Sequence, residues 1–148
     1  MNITFALCLP RDEASVPVVR HVCRDSMQLL GIEQGCVDDI ELAVTEACTN
    51  VLKHAAEASL EYEVTVEIDD TTCQIRVNDR GGDGFDHSSK GVKEAHAEAE
   101  SGRGIFIMRA MMDELHFESQ PDDGAVVHLV KKLELRHDSV LKSLAVPT

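Results

Sequence analysis

A chain of 148 residues is long enough for one hydrophobic core and too short for several, so one domain is expected. Apolar residues make up 43%, but there are only four Phe, one Tyr and no Trp, so the core must be built from aliphatic side chains. A net charge of −13 excludes a nucleic-acid backbone or an anionic membrane surface as a general partner. It is no bar to a nucleotide, whose phosphates a bound cation and backbone N–H groups neutralise locally.

The five cysteines are odd in number and form no C-x-x-C pair. They are read as free, mainly buried thiols in a reducing compartment. No charged leader segment opens the chain, and no apolar run approaches membrane-spanning length, so a cytosolic protein is expected.

Residues 2–9 alternate as a first strand that Pro10 ends, with Asp12 or Ser15 placed to cap the next element. Val16 to Leu30 reads as a helix: Val19, Val22, Cys23, Met27 and Leu30 share a face, Pro17 suits the first turn, and Gly31 stops it. Arg20 falls on its polar side.

A second helix is expected from about Glu33 to Glu57, carrying two stripes. Val37, Ile40, Val44, Ala47, Cys48, Val51 and Ala55 recur at helical spacing and face a core. Glu46, Asn50 and His54 fall four apart and line another face. A carboxylate can take a proton or orient water, and an amide oxygen suits Mg²⁺. The same stripe also describes a solvated helix face.

Tyr62 to Ile68 and Cys73 to Asn78 alternate polar and apolar around an Asp69-Asp70-Thr71 turn, which is a hairpin. Its second arm runs into Asp79-Arg-Gly-Gly-Asp-Gly84-Phe-Asp86. Glycines at a strand end let the backbone approach a ligand, and Asp79 there can accept from an exocyclic amine such as that of adenine. Residues 86–101 read as a mobile polar loop, with a brief helix possible from Ala95 to Glu100. Ser101-Gly102-Arg103-Gly104 then opens a helix over Ile105 to Leu115. Free N–H groups at such an opening favour an anion, and Arg103 beside them is costly unless an anion lies between. Neither a Walker A loop nor a dinucleotide fingerprint occurs. Leu115 to Ser119 and Ala125 to Leu133 are strands about a Pro121–Gly124 turn, and the tail from Glu134 is expected to be a loose helix or disordered.

This order predicts an α/β two-layer sandwich: a mixed, mostly antiparallel sheet with helices on one face, a domain over residues 1–133 and a tail over 134–148. Three segments offer a metal oxygen and a base, an amine acceptor, and anion-binding amides. A Mg²⁺–purine nucleotide satisfies all three.

Glu46-Ala-Cys-Thr-Asn50-Val-Leu-Lys-His-Ala55 resembles the N box of the histidine-kinase-like (GHKL) ATPase superfamily. The Asp79 segment resembles its first glycine box. Ser101-Gly-Arg-Gly-Ile-Phe-Ile-Met-Arg-Ala-Met-Met-Asp-Glu-Leu115 resembles its second, in the form typical of anti-sigma factor serine kinases of the RsbW/SpoIIAB type. That resemblance implies the Bergerat ATP-binding fold. It implies Glu46 as general base, Asn50 as the Mg²⁺ ligand, and Asp79 at the adenine amine with Gly81 and Gly84 nearby. Residues 86–104 would form an ATP lid, with Ser101, Gly102, Arg103 and Gly104 near the phosphates. The family's members form homodimers, sequester a sigma factor, and phosphorylate a serine of a STAS-domain anti-anti-sigma protein. Arg20 matches a family arginine that contacts those partners.

Two features depart from the family pattern. One extra residue lies between Asp79 and Phe85, and Ala125 replaces a threonine whose hydroxyl helps hold a water at adenine. Both leave room for a second function, a protein-binding antagonist without kinase turnover. A third reading, the catalytic domain of a histidine kinase, is disfavoured because none of the seven His sits in a recognisable acceptor helix; His54 is expected to be structural.

Overall fold

In a computed structural model, which describes residues 2–54, 60–79, 102–120 and 124–145, the expected alternation of apolar residues becomes a five-stranded sheet under a layer of helices. The strands are β1 (Ile3–Pro10), β2 (Glu61–Ile68), β3 (Thr72–Asp79), β4 (Glu114–Gln120) and β5 (Gly124–Lys132). Their order is β1-β2-β3-β5-β4 and every described pairing is antiparallel. Because side chains alternate across a strand, one face of this sheet carries Tyr62, Val64, Val66, Ile68, Cys73, Ile75, Val77, Val127 and Leu129, all buried. β1 ends at Pro10 as expected, with Pro10 as its last paired residue, opposite Glu61. β1 is an edge strand, where a residue without an N–H is tolerated.

A short 3₁₀ turn, Glu13–Ser15, leads into α1 (Val16–Leu29). Of the two expected caps, Asp12 is the one used: its carboxylate accepts from the Ala14 N–H at 2.8 Å. The Ser15 hydroxyl turns inward instead, donating to the Asp12 carbonyl and sharing a hydrogen bond with the buried Tyr62 hydroxyl. α1 buries Val19, Cys23 and Met27. Gly31 then takes φ +79°, the left-handed turn that glycine adopts without strain.

α2 (Gln34–His54) packs beside α1 and on β3 and β5, and buries the stripe read from the sequence over Val37, Ile40, Val44, Ala47, Cys48 and Val51; its last expected member, Ala55, lies outside the described residues. Each of the valine and isoleucine side chains withdrawn from water is worth about 1.5–3 kcal/mol, which is what holds a 21-residue helix of modest propensity in place. The hairpin turn between β2 and β3 is tied by Asp69, whose carboxylate accepts from the N–H groups of Thr71 and Thr72 at 2.8 and 2.7 Å.

Four cysteines, Cys23, Cys36, Cys48 and Cys73, are buried free thiols as expected; Cys8 is the exception, exposed on β1. Burial pushes the Cys23 thiol up to about 12 and raises Cys48 and Cys73 well above the ordinary thiol range. These groups are inert packing elements, not nucleophiles.

Two expectations need correction. The helix after the polar loop, α3, spans Gly102–Met111, so it starts earlier than Ile105 and ends before Leu115, which belongs to β4. The tail is neither loose nor disordered over residues 134–145. Ile32 bridges to Leu135, Arg136 N–H donates to the Gly31 carbonyl at 2.8 Å, and α4 (Val140–Ala145) buries Leu141. Ser139 fixes this return: its hydroxyl donates to the Leu30 carbonyl at 2.6 Å and accepts from the Leu141 N–H at 3.1 Å. The tail thereby covers helix-end groups of α1 that would otherwise need water. Among the described residues, no helix is long and apolar enough to cross a membrane.

Candidate active site

The polar stripe of α2 is not the solvated face that its composition allows. Glu46 is half-buried, and Asn50, one turn on, is only 6% exposed. Polar groups enter such surroundings only when something satisfies them. The Asn50 side-chain oxygen is fully buried and has no hydrogen-bond partner among the described residues. An orphaned acceptor of this kind costs about 1–3 kcal/mol. Its position on a packed helix keeps it there, aligned and unable to bend away to water.

α3 packs across α2, and the contact that matters is made by its first turn. A Cβ placed on Gly104 would lie 2.9 Å from Glu46 Oε1. Only a residue without a side chain permits this approach, which brings the opening of α3 against the carboxylate. The first N–H groups of an α-helix have no partner within the helix, and in α3 these belong to Gly102, Arg103, Gly104 and Ile105. The structure therefore places a carboxylate, an unsatisfied amide oxygen and a helix N-terminus along one junction. Arg103, in the same turn, is exposed.

Asp79 is the last residue of the central strand β3 and is completely buried. It follows the parity of Ile75 and Val77, so it enters the helix layer, on the side of the sheet that carries α2 and α3. Tyr62 is its partner across β2. A carboxylate held in that position is an acceptor aimed into the interior. Gly81, Gly84, Ser101 and the loop 86–101 lie outside the described residues, as do the side chains of His54 and Ala125 and most of the turn at Pro121.

Arg20 lies elsewhere, in a groove between α1 and α2. Its Nε is 3.8 Å from Glu41 Oε2, and Nη1 of Arg24 is 3.6 Å from the same oxygen. Both arginines remain about 40% exposed. Arg24 is absent from the residues that sequence reasoning singles out. A signal for it exists: Arg20 and Arg24 are one helical turn apart, so a second cation lines up with the first. What the sequence does not give is Glu41, which reaches them from another helix.

The residues present suit a magnesium ion and a nucleotide on one structural ground. The unpartnered Asn50 oxygen is a hard donor of the kind Mg²⁺ takes, one helical turn from the carboxylate that meets a helix opening, and such an opening favours phosphate.

Comparison with known proteins identifies the family. Residues 9–131 match the family model of the histidine kinase-like ATPase domain. The anti-sigma F factor of Pasteuria penetrans is 37% identical over 102 residues, spanning 65% of this chain and 68% of that protein. The serine-protein kinase RsbW of Halalkalibacterium halodurans is 30% identical over 138 residues, spanning 88% of this chain and 84% of the relative. Among solved structures, the RsbU and RsbW domains of a Mycobacterium tuberculosis protein superpose with a TM-score of 0.65 at 17% identity, covering 88% of this chain and 32% of that one. The SiaB–SiaC complex of Pseudomonas aeruginosa gives 0.57 at 12% identity, over 86% of this chain and 88% of the other; at such identities both show the fold alone. From the sheet with its helices on one face, the matched span and the relatives that share most of its length, the chain belongs to the histidine kinase-like ATPase domain family, in the branch that holds the RsbW serine-protein kinases and the anti-sigma F factors.

Proposed function

We propose that this protein is an ATP-dependent protein-serine kinase that regulates transcription by partner switching, phosphorylating a STAS-domain anti-anti-sigma protein and sequestering a sigma factor. The observation that carries the reading is the junction of α2 and α3. Gly104 lets a helix opening reach the Glu46 carboxylate, while Asn50 holds a buried oxygen that the described residues leave unsatisfied.

Phosphoryl transfer asks little covalent chemistry of a protein; it asks for placement and charge stabilisation. In this reading the substrate serine oxygen forms a bond to the γ-phosphorus as the bond to the β-phosphate oxygen breaks, and ADP leaves. Glu46 takes the proton from the serine hydroxyl. The N–H groups of Gly102, Arg103 and Gly104 face the phosphates, with Ser101 beside them. Asp79 accepts from the adenine amine, next to Gly81 and Gly84. Asn50 would hold Mg²⁺, which would spread the charge of the phosphates. Arg20 meets the protein partners, and the protein works as a homodimer.

Incubation with Mg-ATP and the cognate STAS-domain partner is expected to give phosphoserine, read by mass spectrometry. Glu46→Gln is expected to lower transfer by about 10²–10⁴-fold while sparing ATP binding. Wild-type transfer by that variant would remove Glu46 from the mechanism. Calorimetry with Mg-ATP on Asn50→Ala is expected to show the Mg²⁺-dependent part of binding lost. Partner binding indifferent to ATP and ADP, with no phosphoserine, would establish an antagonist without turnover instead.

A further inference from the structure

The seam between α1 and α2 holds two hollows in series. One, of about 350 Å³, lies among Arg20, Arg24, Glu41 and Thr45. The next, of about 490 Å³, lies among Arg11, Val16, Thr49 and Lys53. Val16 precedes Arg20, and Thr45 precedes Thr49, by one helical turn, so the hollows follow each other along one groove. Across the whole chain, acidic residues outnumber basic ones by 27 to 14. Along this groove the balance reverses: Arg11, Arg20, Arg24 and Lys53 stand against Glu13, Asp38 and Glu41.

Glu41 is too little for the two cations at its end of the groove. A single oxygen, Oε2, stands 3.8 Å from Arg20 Nε and 3.6 Å from Arg24 Nη1, where a charge-assisted hydrogen bond prefers about 2.7–2.9 Å. Both arginines lie outward, about 40% exposed, over a carboxylate that is 19% exposed. Arg24 Nε is buried and has no hydrogen-bond partner among the described residues. A guanidinium with a donor unmet gains by turning its fork to a second carboxylate. We infer that Arg24 joins Arg20 in seating an acidic segment of the STAS-domain phosphoacceptor, and that Glu41 is the internal carboxylate with which that segment competes. Leu42, 43% exposed at the same hollow, supplies the apolar contact that shields the new ion pair from water. This rests on the reading of the protein as a kinase of such a partner. Thr45 and Thr49 adjoin Glu46 and Asn50 in α2, so a protein seated along the groove lies beside the residues proposed to act on its serine, which favours the phosphoacceptor as occupant.

Glu41 acts in two directions. In the free protein it offsets the repulsion between two like charges one turn apart on α1. Against a partner it holds the position that the partner's carboxylate would take, so affinity is lower than the arginines alone would give. Removing its charge while keeping its shape therefore tightens binding, and removing Arg24 loosens it. Opposite signs from two residues in contact separate a competing carboxylate from a groove that is only packing.

The test is calorimetric titration of the full chain with the unphosphorylated STAS-domain protein that serves as kinase substrate, at low and high salt. KM and kcat for the same protein are measured under Mg-ATP. Arg24→Ala is expected to weaken binding about tenfold, to flatten its dependence on salt, and to raise KM with kcat held. Arg24→Lys is expected to fall between, since the charge remains and the fork is lost. Glu41→Gln is expected to tighten binding about threefold or more. Thermal melts verify that the variants fold. Wild-type affinity in Arg24→Ala overturns the assignment of Arg24, and a folded Glu41→Gln that binds no tighter overturns the competition. A change confined to sigma-factor binding, or a wild type that does not bind the STAS-domain protein, overturns the chosen occupant. Calorimetry needs no turnover, so absence of phosphoserine would count against the kinase while the groove is still decided.

Discussion

Gly104→Ala separates stability from turnover, and the structure sets both signs. The new methyl would stand 2.9 Å from Glu46 Oε1, where ordinary contact begins at 3.4 Å, so the carboxylate must retreat by the difference of 0.5 Å. The obstructing atom is the end of a flexible side chain, so the fold itself gives way cheaply. Within a helix, alanine is favoured over glycine by about 1 kcal/mol, less in a first turn. Folding stability is therefore expected to hold or rise, with the melting temperature up by about 2–4 °C at most. Catalysis moves the other way. Misplacement of a reacting group by 1 Å costs about 10²-fold, so half of that should cost roughly tenfold in turnover. The assay pairs phosphoserine formation under Mg-ATP with a thermal melt of the same preparation. Undiminished turnover in a folded Gly104→Ala protein would refute the claim that the Gly104–Glu46 approach sets the carboxylate for catalysis. A melting temperature lowered by several degrees would refute the claim that the contact is soft.

Packing sets two further outcomes. The raised thiols of Cys23, Cys48 and Cys73 bind protons in the folded state that the unfolded chain releases, so their stabilisation is complete below about pH 9 and is lost as pH climbs from 9 towards 12. The fall approaches about 1.4 kcal/mol per pH unit for each thiol in that window, and alkaline unfolding followed by circular dichroism should move to higher pH in Cys73→Ala; an unmoved midpoint would show that the thiols do not govern it. Ser139→Ala leaves the half-buried Leu30 carbonyl and the Leu141 N–H without their shared hydroxyl, and urea denaturation should show a loss of about 1–3 kcal/mol; a neutral result would mean that the tail is not fastened there.

The strands and the α2 stripe are legible in the sequence because their signal is local. Alternation in Tyr62 to Ile68 and helical spacing from Val37 to Val51 each state which face must leave water, and neither needs to know its partner. The residues of the candidate site are likewise legible as types: Glu46 and Asn50 one turn apart, Asp79 at a strand end, Gly104 at a helix opening. The start of α3 is hidden because its first turn is made of glycines and an arginine, which carry no periodicity, and packing against α2 draws them into the helix. The order of the tail is hidden for the same reason. From Arg136 to Val140 it is mostly polar, and it is fastened by Ser139 to the end of α1, 109 residues earlier in the chain. Arg24 has no evident role until α2 brings Glu41 to it.

Composition and periodicity alone thus determined that an aliphatic, acidic α/β domain would form and which faces of its elements would be buried, since burial comes from the spacing of side chains along one segment. Only the tertiary structure decided that Asn50 would hold an oxygen without a partner, that Gly104 would touch Glu46, and that Glu41 would meet both Arg20 and Arg24. Each of these is a meeting of segments brought together by the fold, and their separation is set by how the core packs, which no single stretch of chain encodes.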